Sequence, residues 1–205
     1  MSEPQTVPTP ELVQDLAEGC VKYVEQATGV ELDFTQDTLP VLDHYLERVP
    51  EEASEEVLAL VIPMCGAYFG EVVRRHMQDA RWHLDEEHYE RWRVEFDSCF
   101  LHFNPIGMVL EALMRDDAAG WSAHLSVLDD QREALKQALE RLGEVEEDDY
   151  YRLSVRFEVI EQAHDQLAAW TRQQAKEGEQ PQRYDPDTYA ALADRPTEPS
   201  EGDLN

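Results

Sequence analysis

The stretch from Val57 to Gly70 carries no charge and is apolar all the way round a helical wheel. A helix of that kind has to be surrounded by the rest of its chain, so the fold must be built around it. Ser54 followed by Glu55 and Glu56 predicts its start, with the acids at the positive helix end. Pro63 falls inside it and predicts a kink or a split into two pieces. The run ends in "GAYFGEVVRR", residues 66–75. Gly66 and Gly70 share one stripe with Ile62, Val73 and Met77. Two interior glycines cost about 1 kcal/mol each relative to alanine, so a closely approaching neighbour must offset them. Met64, Ala67, Glu71, Arg74, Arg75 and Gln78 run down another side, apolar to residue 67 and polar beyond it. That is the pattern of a helix emerging from the core, with Glu71 and Arg75 as a favourable i,i+4 pair. The stretch reads as architecture before it reads as a binding site.

Around this helix the sequence predicts a flexible arm over residues 1–9 and a single globular domain over 10–175. Leu12, Val13, Leu16, Cys20 and Val24 space a helix over about 10–28, and Leu39, Leu42, Leu46 and Val49 one over 38–49, with Asp37 as its cap. The central helix occupies about 55–78. The period then changes to two in "RWRVEF", which predicts strands near 81–84, 91–96 and 99–103, a small antiparallel meander. Asn104 and Pro105 form a strong start signal for a helix over 105–115. Leucine stripes predict helices over 122–142 and 148–175, joined by "EVEEDD" as an antiparallel hairpin. Residues 176–205 hold Pro181, Pro186, Pro196 and Pro199 among eight acids and are expected to be disordered. The fold class expected is α+β, predominantly α.

Forty-five acids against seventeen bases give a net charge of −28. Such a field repels phosphates, so no nucleic acid and no anionic membrane is expected as a partner. It serves solubility, and it also suits a basic protein partner. The apolar run is shorter than the roughly 20 residues of a membrane span, and "MSEPQTVPTP" has neither a basic nor an apolar leader region. A cytoplasmic location is the resulting expectation. Cys20, Cys65 and Cys99 lack metal-ligand spacing and read as small core side chains.

Motifs that carry chemistry are sparse. No Gly-x-Ser-x-Gly elbow and no glycine-rich phosphate loop occurs, so no catalytic residue and no cofactor is assigned. Glu161 and His164 stand three apart on a helix, the spacing used in di-iron bundles. Such bundles need that unit twice, and no second copy exists here, which leaves His164 as an ordinary seam histidine or a weak metal ligand. His76, His83 and His88 fit no zinc pattern. The acidic segments are the remaining candidates: Glu144, Glu146, Glu147, Asp148 and Asp149 in one loop, Asp85, Glu86 and Glu87 in another. Beside the first, Tyr150 and Tyr151 are either aromatic anchors for a partner or the start of the last helix's buried stripe.

The combination of "GAYFGEVVRRH", a following "RW" and "NPIGMVLEAL" resembles uncharacterised small bacterial proteins with a Gly-x-x-x-Gly-Glu-x-x-x-Arg helix, short strands and an Asn-Pro-started helix. The likeness spans roughly residues 32–116. It implies no activity, so no functional residue is carried over. The chain departs from that pattern after Arg75, where "HMQDARW" replaces a glycine turn. The function expected is an acidic, non-catalytic binding protein that docks on a basic partner in an immunity-like or escort role. The alternatives are an oligomerisation module built on the hairpin and a metal sensor or enzyme using Glu161 and His164.

Overall fold

A computed structural model describes residues 8–49, 53–85, 87–141, 146–175 and 179–193, without the side chains of Glu147, Asp148 and Ala193. The elements run α1 (Glu11–Thr28), α2 (Leu39–Glu47), α3 (Glu55–Met77), β1 (Ala80–His83), β2 (Arg93–Phe96), β3 (Leu101–Phe103), α4 (Pro105–Met114), β4 (Ser126–Val127), α5 (Asp129–Glu140), α6 (Glu147–Tyr150), α7 (Leu153–Gln174) and α8 (Pro186–Ala193). The class is α+β and predominantly helical, as the periodicities require.

α3 is the centre. The Ser54 hydroxyl accepts from Val57 N–H at its start, and the helix runs unbroken through Pro63. Ala59, whose carbonyl loses its i+4 donor to the proline, lies on the exposed first part of the helix, where water can replace that bond. Burial begins at Val61, later than expected: Val57 and Leu60 are 46% and 44% exposed. Its 23 residues are long and apolar enough to cross a membrane, but 67% of its most apolar stretch is buried inside the protein, as in a core helix. α1 and α4 pack along it. Cys20 of α1 and Cys65 of α3 face each other with Sγ atoms 3.8 Å apart, and both are buried as free thiols.

The sheet has four antiparallel strands in the order β1-β2-β3-β4, where three were expected. β4 contributes only Ser126 and Val127, opposite His102 and Leu101. So short a strand is defined by its pairing rather than by a period of its own, whereas the leucine spacing predicts a helix there. Alternation puts Trp82, Val94, Phe96, Leu101, Phe103 and Val127 on the face toward the helices. Arg81, Arg93, Glu95 and His102 share the other face.

That outer face explains the largest departure from expectation. Residues 179–193 of the supposed tail lie against it, and Tyr184 and Tyr189 pack with Phe100 in a second small core. The Tyr189 hydroxyl accepts from Phe96 and Leu101 N–H, at 3.3 and 2.9 Å, and lies 2.7 Å from the Leu101 carbonyl. Arg81 donates to the Tyr184 carbonyl at 2.7 Å. An average over many prolines and acids conceals two aromatic anchors five residues apart. Residues 176–178 and 194–205, with most of the N-terminal arm (1–7), lie outside the described residues.

Candidate functional site

The glycine stripe is filled from two directions. A Cβ on Gly66 would sit 2.6 Å from the Ile106 Cα of α4, and one on Gly70 would strike the Trp82 ring. Glu71, expected at the helix exit, is instead completely buried. Its Oε1 accepts from Arg74 Nε at 2.7 Å and Trp82 Nε1 at 2.8 Å. Its Oε2 accepts from Thr9 Oγ1 and Arg74 Nη2, both at 3.0 Å, and from Arg75 Nε at 3.2 Å. Burial alone would raise the Glu71 carboxyl, but the bonds from Arg74 and Trp82 outweigh it and hold it below the ordinary glutamate value. Arg75 also stacks over Phe34 at 3.8 Å. With five donors on two oxygens, this carboxylate is saturated. It fixes the N-terminal arm, α3 and β1 to one another and keeps no acceptor capacity for a ligand.

A second buried carboxylate lies at the far side of α4. Asn104 caps that helix, accepting from Ile106 and Gly107 N–H at 2.9 and 3.1 Å, with Pro105 in the first turn. Glu111, one helix turn before the end, is 1% exposed and accepts from Arg156 Nη2 of α7 at 2.6 Å and from Ala118 N–H at 3.1 Å. Arg156 also donates through Nε to the Tyr150 carbonyl at 3.2 Å and lies under the Tyr150 and Tyr151 rings, 5.0 and 5.6 Å from their centres. Beside this pair opens a cleft of about 430 Å³ between α4, the segment before β4, α5, α6 and α7. His124 stands at its rim, 4.0 Å from Glu111 Oε1 and 3.9 Å from Asp117 Oδ1. Among the described residues these three are the only ones whose ligand atoms gather closely enough for a metal ion. Of this region sequence reasoning singled out only Tyr150 and Tyr151, because the other residues are spread over several elements and a loop with no local spacing to betray them.

The residues singled out from sequence are dispersed. Asp85 is consumed by its own loop, accepting from Glu87 N–H at 3.1 Å and facing His88 and Arg91 at 3.3 Å each. Glu87 is exposed, and Glu86 and Glu144 lie outside the described residues. Glu146 is exposed and Asp149 pairs with Arg152 at 3.3 Å. Glu147 and Asp148 belong to α6, so the second half of the expected loop is helical. Tyr150 is 42% exposed and meets the half-buried Tyr151 edge-on at 5.1 Å. Partial burial, then the charges of Asp117 and Asp116, raise the Tyr151 hydroxyl above its ordinary value.

Glu161 and His164 take different partners: Glu161 meets His76 at 2.6 Å, and His164 meets Asp79 at 3.1 Å. The first contact ties α7 to the last turn of α3, the second to the turn that follows it. Ser98 Oγ also reaches His164, at 3.2 Å. Serine and aspartate address the same ring nitrogen, Nε2, so this is not the two-sided relay of a hydrolase triad. No protein-family model, no curated protein and no solved structure matches this chain, so the likeness of residues 32–116 adds no activity to the site.

Proposed function

We propose that this chain is an acidic, non-catalytic binding protein that docks on a basic protein partner, in an immunity-like or escort role. One observation carries the reading. Tyr150, exposed and braced by Tyr151 and Arg156, follows Glu146 and Asp149 in sequence, and the charge of Asp117 reaches its hydroxyl while those of Asp117 and Asp116 reach that of Tyr151. An amphipathic ring set among acids is what a basic interface needs: charge to raise the association rate and an aromatic anchor to hold it. The field of a −28 chain adds long-range attraction. In the leucine stripes offered to an oligomerisation role, Leu135, Phe157, Ile160 and Leu167 are buried within the chain, and Leu125, Leu128 and Leu139 are half-buried.

The test is capture of a partner at low ionic strength by the wild-type chain and by two variants, Tyr150→Ala and Asp116→Arg with Asp117→Arg. A basic protein retained by wild type, released by salt and lost by both variants supports the reading. Capture of no protein at low salt, or capture indifferent to both variants, overturns it. A neighbouring gene for a toxin or a basic cargo protein would identify the partner directly.

A further inference from the structure

The cleft beside the Glu111–Arg156 pair has a lining at odds with the rest of the molecule. Its walls are apolar, formed by Met108 of α4, Leu125 and, from α7, Val155, Val159 and Ile160. The ionisable groups that complete it are Lys136, Arg156, His124 and Tyr150, and no described carboxylate lines it. In a chain with 45 acids and 17 bases that selection is unexpected, and Lys136 is one of only three lysines in the sequence. Lys136 makes no ion pair among the described residues. Arg156 is held rigid through Nε and Nη2, by Tyr150 and Glu111, which leaves Nη1 without a hydrogen-bond partner among the described residues. A planar donor fixed in this way is preorganised for an oxyanion.

We propose that this cleft binds a small amphipathic organic anion, an aliphatic or aromatic body bearing one carboxylate or sulfonate. The volume of about 430 Å³ falls in the range of small-molecule sites, and mostly apolar walls with a few convergent polar groups are their usual construction. The body displaces water from the Met108, Val155 and Val159 wall, and the head group meets Lys136 and Arg156. Glu111 already neutralises Arg156, so the net attraction comes from Lys136, acting inside the Debye length of roughly 8 Å against the repulsion of the whole chain, while Arg156 contributes a fixed hydrogen-bond donor. The inference does not rest on the partner reading, and its variants leave Tyr150 untouched.

The test is titration of the folded chain with anilinonaphthalene sulfonate, followed by fluorescence and competed with decanoate, alongside the neutral phenylnaphthylamine. Wild type is expected to bind the sulfonate saturably, one per chain, with displacement by decanoate. Lys136→Glu, a substitution at an exposed position, is expected to weaken the sulfonate about five- to tenfold while changing the neutral amine less than about twofold. Val159→Trp, if its melting curve shows a folded protein, should abolish binding of both probes by filling the cleft. No saturable binding to wild type, sulfonate affinity unchanged by Lys136→Glu, or full binding to a folded Val159→Trp would each overturn the proposal.

Discussion

At the scale of single residues, close backbone approach fixes the central helix in place. Gly66 is the clearest case, since any side chain there collides with backbone rather than with a movable side-chain end. Gly66→Ala is expected to lower stability by about 1–3 kcal/mol through overpacking, even though alanine is the better helix former. Chemical denaturation measures this; a stabilised variant would mean that α4 can retreat from α3. His102 offers a pH signature. Burial first, then Arg93 and His83, hold its ring down at about 4 against an ordinary 6.5. The unfolded chain therefore takes up that proton at higher pH than the folded one. Stability tied to His102 is complete above pH 6.5 and is lost as pH falls from 6.5 toward 4. In NMR titration the His102 ring is expected to stay neutral at pH 5.5, and protonation near pH 6.5 would contradict its burial.

At the scale of elements, some helix starts are capped locally and one is capped from a distance. Ser54 and Asn104 cap their own helices and were legible from the chain. α7 has no cap of its own at Arg152. Asp43 of α2 supplies it from across the molecule, accepting from Leu153 N–H at 2.7 Å, Ser154 N–H at 3.1 Å and the Ser154 hydroxyl at 2.6 Å. Asp43→Ala should cost about 2 kcal/mol, the loss of a cap together with a buried donor left unpaired. Urea unfolding, with helix content followed by circular dichroism, checks it. Sequence reading found the central helix, its glycine stripe and the Asn104-Pro105 start because each is a local pattern. It could not find the distant cap or the two-residue β4, which exist only through partners far away in the chain.

At the scale of the whole molecule, the segment 179–193 closes the sheet's outer face. A chain ending at residue 178 should exchange the Phe96 and Leu101 amides faster, since the Tyr189 hydroxyl no longer accepts from them. Unchanged exchange there would show that the sheet holds these amides by itself. The Asp185 carboxylate accepting from Thr188 N–H at 2.8 Å, with Pro186 next in sequence, is a local helix-start signal that the compositional reading passed over.

Sequence by itself determined the predominantly helical α+β class, the surrounded central helix and the architectural role of "GAYFGEVVRR", because periodicity and glycine placement act between near neighbours. Tertiary structure alone decided that Glu71 is a saturated buried anchor, that the tail packs on the sheet, and that Lys136, Arg156 and His124 meet at one apolar cleft. Those outcomes depend on which surfaces of distant elements come together, and one-dimensional spacing does not encode that.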